Sequence, residues 1–154
     1  MKYRLMLAAA VALAACAPAS AQMASAKDPN SLVKALQAKG YQAKLETAGG
    51  EPAIRSGAGG VQFTIFFENC TDGKACTTVS FFTGFTDVEG SLQQVNEWNK
   101  NNRFARAYID KDGDPVLRMD VDLDHAGIPA ANFNEYLDIW ASLTPKFLNF
   151  LRGR

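Results

Sequence analysis

The chain has 154 residues, 47% hydrophobic and 21% charged, the balance of one folded soluble domain rather than of a disordered chain. Sixteen bases balance sixteen acids, there is a single histidine, and no basic run stands out, so nucleic acid is not an expected partner.

Residues 1–21 open on Lys2 and Arg4, continue through an apolar run from Leu5 to Ala15, and end in small residues. That is the pattern of a secretory signal, too short to remain as a membrane-spanning helix. Ala19-Ser20-Ala21 fits the small-x-small rule and predicts cleavage before Gln22, giving a periplasmic protein. A competing pattern, Leu13-Ala14-Ala15-Cys16, resembles a bacterial lipobox and would make an envelope lipoprotein lipidated at Cys16 with a scaffolding role; a membrane partner is expected only in that case. Loss of the leader removes Lys2 and Arg4 and leaves 14 bases against 16 acids, a net charge of −2. Residues 22–27 are expected to be a flexible N-terminus and 28–154 the domain.

Asp28-Pro29 ahead of NSLVKALQAKG supplies an N-cap, a proline at the first helical position and a closing Gly40, with Leu32 and Leu36 on the apolar stripe. YQAKLET and PAIRS read as short strands separated by Gly49-Gly50. Next, Val61, Phe63, Ile65 and Phe67 alternate with Gln62, Thr64, Phe66 and Glu68, and beyond a loop Val79, Phe81 and Phe85 share one parity. In an oxidising compartment the even, close pair Cys70 and Cys76 reads as a disulfide, since five intervening residues match neither C-x-x-C nor a zinc set. Bridging them places Phe67 opposite Val79, Ile65 opposite Phe81 and Phe63 opposite Thr83, which makes one face apolar throughout. Phe66 and Phe82 fall on the other face. A covering helix of the same chain is the expected explanation; the alternative is an exposed patch for a partner or a second subunit.

DVEGSLQQVNEWNKNN predicts a helix with Val95 and Trp98 inward and Leu92 ahead of them. RFARAYID returns to a strand. The aspartates that follow, Asp110, Asp112 and Asp114, look like the start of a calcium loop. Counted from Asp110, however, glycine comes at position 4, Pro115 at 6 and Val121 at 12, and the flanks alternate with period two. The segment is therefore expected to be a hairpin on a two-residue Asp112-Gly113 turn. That register sets Phe104 against Val121, Arg106 against Met119 and Tyr108 against Leu117. Arg106 would then sit on an apolar face, snorkelling or pairing with Glu97, Glu135 or Asp138. PAANFNEYLDIWASLTPKFLNFL predicts a last helix with Phe133, Leu137, Trp140, Phe147 and Leu151 inward. Ile139, Leu143 and Phe150 lie on its flank, where they join Phe66 and Phe82 as a candidate partner surface. Pro145 should bend or interrupt this helix.

The run VNEWNKNNRFARAYIDKDGDPVLRMDVDLDHAGIPAANFNEYLDIW, together with VQFTIFFENC and LVKALQAKGYQAKLE, resembles the YbjN family, labelled bacterial sensory transduction regulators. The tryptophan-asparagine helix end before RFARAY and the DGDPVL turn carry the likeness. It implies an α+β fold similar to type III secretion chaperones, with element order α-β-β-β-α-β-β-α. The residues themselves give an antiparallel sheet of two main hairpins with flanking helices, and one additional early strand. The resemblance brings no catalytic residues, and the leader and cysteine loop depart from cytosolic members.

The expected function is a non-catalytic periplasmic module that binds a protein or peptide, chaperone-like or regulatory, with a homodimer among the options. No cofactor or metal is expected. An enzyme would have to rely on His125, which stands in DLDHAGIP, a strand-to-helix loop where a solvated histidine is the simpler reading.

Overall fold

In the computed structural model, which describes residues 22–153, eleven elements follow in the order β1 (Met23–Ala24), α1 (Pro29–Ala38), β2 (Lys44–Ala48), β3 (Glu51–Ala58), β4 (Val61–Glu68), β5 (Thr78–Gly84), α2 (Leu92–Asn101), β6 (Arg106–Ile109), β7 (Pro115–Asp122), β8 (Ile128–Pro129) and α3 (Ala130–Leu151). The fold is α+β. Six strands form one antiparallel sheet in the order β2-β3-β4-β5-β7-β6, and the two-residue β1 and β8 pair separately. The leader, its cleavage site and Cys16 lie outside the described residues.

Local chemistry accounts for these elements. The Asp28 carboxylate accepts a hydrogen bond from the Asn30 amide at the start of α1, with Pro29 at the first helical position. Helix α2 begins later than its sequence suggests. Ser91 and Gln94 form a capping box that fixes the start, and Leu92 is left 71% exposed while Val95 and Trp98 are buried. The hairpins β2-β3 and β3-β4 turn on Gly49-Gly50 and Gly59-Gly60, all four at positive φ, where glycine alone carries no Cβ penalty.

The expected β4-β5 register is present, with Ile65 opposite Phe81 and Phe67 opposite Val79. The ladder ends at Thr64 opposite Phe82, one step short of the expected pairing of Phe63 with Thr83; the Thr83 hydroxyl instead donates to the Gln62 carbonyl. Cys70 and Cys76 are bonded, closing the loop between the two strands.

The second hairpin is shifted by one residue. Arg106 faces Arg118, Ala107 faces Leu117 and Tyr108 faces Val116. The connection is a three-residue loop, Lys111-Asp112-Gly113, closed by the Asp110 amide donating to the Asp114 carbonyl, with Gly113 at φ +91°. A one-residue slip exchanges the faces. Arg106 therefore moves to the outer, polar face, where it pairs with Asp120, and its expected apolar setting disappears. Phe104 lies before the strand, 56% exposed and at positive φ, and does not face Val121. Asp138 pairs with Lys39 instead.

Residues 22–27, expected to be a flexible N-terminus, carry a packed element. Strand β1 pairs with β8, Ala24 and Ala26 are buried in the core, and the Ala130 amide donates to the Gln22 carbonyl. Helix α3 continues through Pro145 without the expected interruption, and the proline ring rests beside Gly59 of the β3-β4 turn.

The core lies between the sheet and the helices. Phe81 contacts Phe63, Phe133 and Trp140, and Phe147 bridges Phe85 to Trp98. Leu32 and Leu36 of α1 and Val95 of α2 belong to the same cluster, so all three helices bury their apolar stripes against one face of the sheet.

Candidate functional site

The opposite face of the sheet is built by the alternate residues of each strand. Phe66 stands between Ala53 and Ser80, and Phe82 stands between Thr64 and Arg118. The two rings meet edge to face with centroids 5.6 Å apart, a favourable arrangement for aromatic quadrupoles. Both are half-buried, and neither packs against the core cluster. The expected covering helix is not there: among the described residues all three helices occupy the other face. What shields the rings is each other and the side chains alongside.

A polar network borders this pair. Arg118 donates through Nε to the Ser80 hydroxyl at 2.6 Å and through its terminal nitrogen to the Glu68 carboxylate. Ser80 donates in turn to Asp120 at 2.7 Å, and Arg106 reaches the second oxygen of the same carboxylate. Partial burial opposes ionisation of Asp120, but the Ser80 hydroxyl and the two guanidinium groups outweigh it and hold the carboxyl below its usual range. Burial likewise opposes the charge on Arg118, and Glu68, Asp120 and the Tyr108 hydroxyl more than offset it, raising its pKa. The β5-β7 register creates this network, because it sets Ser80 against Asp120 and Phe82 against Arg118. The alternation of Arg118, Asp120 and Asp122 already marks a polar face in the sequence; their partners Glu68 and Ser80 become visible only once β5 is known to lie between β4 and β7.

Asp120 gives a pH test. Its pKa in the folded state is lowered, so the stability it contributes is complete above the ordinary carboxylate pKa and is lost as pH falls through the lowered value. Allowing for solvent screening of a half-exposed group, Asp120→Asn should cost about 1 kcal/mol at neutral pH. Denaturant titrations should show the gap from the parent narrowing below about pH 4. A gap that widens in acid would refute the assignment.

The other sequence-predicted site residues lie elsewhere. Leu143 is buried, and Ile139 and Phe150 are half-buried against the core, with the Phe150 ring tilted against Trp98 at a centroid distance of 5.8 Å. These three are on the helix side of the sheet and form no common surface with Phe66 and Phe82. His125 is exposed at φ +55° in the loop after β7, and its carbonyl accepts from Lys27. The Asp110 carboxylate closes its own turn, accepting from the amides of Asp112 and Asp114 at 2.9 Å each. Among the described residues no cluster of three or more His, Cys, Asp or Glu is placed to hold a metal ion, and no helix is long and apolar enough to cross a membrane.

Asn99, the asparagine of the tryptophan-asparagine end of α2, has a role at a sheet edge that its sequence does not announce. The Asn99 side chain of α2 accepts from the Ala107 amide at 2.8 Å and donates to the Ala107 carbonyl at 2.9 Å, so the outward backbone groups of Ala107, in the middle of β6, are satisfied.

The family model described as "Putative bacterial sensory transduction regulator", YbjN, matches residues 28–152. The chain belongs to the YbjN family. The match takes in the α2 end and β6 through WNKNNRFARAY, and the DGDPVL turn, and it begins at the Asp28 cap of α1. The family's description supports a regulatory, non-catalytic role. No curated protein and no solved structure matches the chain.

Proposed function

We propose that this YbjN protein works in the periplasm as a non-catalytic regulatory module that binds a protein partner across the outer face of its sheet. The observation that carries this reading is the edge-to-face Phe66-Phe82 pair on a face that no helix of the described chain covers. Aromatic anchors with arginine nearby and a polar rim are the composition of an interface centre, where a few residues supply most of the binding energy. Arg118 and Arg106, held in place by Glu68, Ser80 and Asp120, supply a charged border that is ordered before a partner arrives.

Crosslinking of the exported protein in intact cells, followed by purification and mass determination, tests the proposal. Phe82→Ser should weaken partner capture about tenfold or more, the scale of a hot-spot residue, while the melting temperature moves only slightly. Undiminished capture by Phe82→Ser together with Phe66→Ser would remove the face from consideration. A homodimer would appear in the same experiment as a crosslinked mass of twice the chain.

The leader carries the periplasmic part of the reading. The purified exported protein should begin at Gln22, with Cys16 discarded. Cys16 carrying fatty acid would favour the lipoprotein reading drawn from Leu13-Ala14-Ala15-Cys16, and the protein would then be tethered at the membrane surface.

A further inference from the structure

The two edges of the sheet are treated differently. At the β6 edge the outward N–H and C=O of Ala107 are taken by Asn99. At the other edge β2 pairs with β3 only as far as Lys44 opposite Arg55, and the chain from Gly40 to Ala43 leaves the ladder. Strand β3 continues for three more residues, Ser56, Gly57 and Ala58. Among the described residues no hydrogen bond joins this stretch to residues 41–43.

The hairpin turn fixes which backbone groups are free. A two-residue turn ends in a hydrogen-bonded pair, here Ala58 with Val61, and such pairs alternate along antiparallel strands. Ala58 and Ser56 therefore bond to β4, and the N–H and C=O of Gly57 point away from it. A cleft of about 590 Å³ opens there, lined by Tyr41, Lys44, Arg55, Ser56, Gly57 and Gln62 among others. Its size is that of a small-ligand or peptide pocket. The Ser56 hydroxyl is buried without a hydrogen-bond partner, an unusual cost in a folded chain. Both charged residues of the lining are cations. Arg55 pairs with Glu46, whereas Lys44 has no ion-pair partner among the described residues.

We propose that this cleft binds a short extended peptide bearing a carboxylate. The peptide pairs its main chain with Gly57, as strands added to an open sheet edge do, and its carboxylate meets Lys44 and Arg55. The cleft lies at the β2-β3 border of the same sheet face, two strands from Phe82, but the contacts that hold the peptide, Gly57 and Lys44, do not include the aromatic pair, so the site does not depend on the function proposed for that pair.

The probe is a fluorescein-labelled octapeptide of alternating Glu with Val or Thr, titrated by anisotropy at low salt. Three comparison peptides have Lys in place of Glu, alternate N-methylated amides, or an amidated C-terminus. Saturable binding is expected with a Kd below about 100 μM. Lys44→Glu in the protein and N-methylation in the peptide should each weaken it about fivefold or more, the Lys peptide should not bind, and Phe82→Ser should leave binding unchanged. Loss of affinity on amidation assigns the cation contact to the terminal carboxylate; retained affinity assigns it to a side chain. Failure to saturate by about 1 mM, or equal binding of the N-methylated or the Lys peptide, overturns the proposal. So does a peptide-free dimer that Lys44→Glu dissolves, which would give the edge to a second copy of the chain.

Discussion

Phe81→Ala should lower the unfolding free energy by about 3–5 kcal/mol, whereas Phe82→Ala, one residue along, should cost about 1 kcal/mol. The difference follows from the alternation of a strand. Phe81 is fully buried and touches three other aromatic rings, Phe63 from β4 and Phe133 and Trp140 from the first half of α3. Truncation there leaves a cavity that Phe133 and Trp140, fixed on one helix, cannot collapse to fill. Phe82 is half-buried on the outer face, and its truncation forfeits the edge-to-face contact with Phe66 and some area that water already reaches. For a domain whose whole stability is of the order of 5–15 kcal/mol, the first change threatens folding and the second does not. Urea denaturation of both variants decides the matter. Equal losses would mean that something covers the outer face in the free protein and would count against its role as a docking surface.

The same alternation explains how much was legible beforehand. In β4 and β5 the apolar parity and the cysteine spacing are two separate signals for one register, and the structure has that register. In β6 and β7 a single signal, Asp112-Gly113, stood for the turn. Asp-Gly serves both a two-residue turn and a three-residue loop ending in a left-handed glycine, and the second is present. Arg106 carries a second signal in the sequence: a charge at that position favours the register that puts it on the polar face, opposite Arg118 and beside Asp120. The outer face was half legible. Its aromatic pair follows from parity, but whether a helix covers it depends on which side of the sheet every crossover chooses, and alternation within a strand carries no such information. The order of strands was similarly hidden: β7 inserts between β5 and β6, so the Ser80-Asp120 and Arg118-Glu68 contacts join residues 40 and 50 positions apart. The free edge at Gly57 was less legible still, because it depends on where β2 stops pairing.

Replacing both bridge cysteines, Cys70→Ser with Cys76→Ser, should cost about 2 kcal/mol, the chain entropy restored to the unfolded state when so short a loop is released. The native loop adds to the argument. Asn69, Asp72 and Ala75 all hold positive φ, at 54°, 51° and 49°. Asparagine and aspartate tolerate that region, while alanine pays about 1 kcal/mol for it. A backbone in this state persists only where its surroundings fix it. Here the Cys70-Cys76 bond encloses Asp72 and Ala75, the Thr71-Lys74 hydrogen-bonded pair holds Asp72 from within, and Asn69 stands directly before the bridge. Two results should follow. Ala75→Gly should offset its entropic cost by relieving the strain, leaving stability unchanged or raised by up to about 1 kcal/mol. Reduction of the parent should lower its melting temperature to that of the double serine variant and leave the variant itself unmoved. The loop also begins directly after Glu68, which holds Arg118 beside the aromatic pair, so opening the bridge should loosen the border of the outer face before the core. Hydrogen exchange of the reduced protein reads this order: the amides of residues 68–78 should lose protection first, while those of Phe81 and Met119 keep theirs. Uniform loss across the sheet would show that the bridge supports the whole fold rather than the loop and the face beside it.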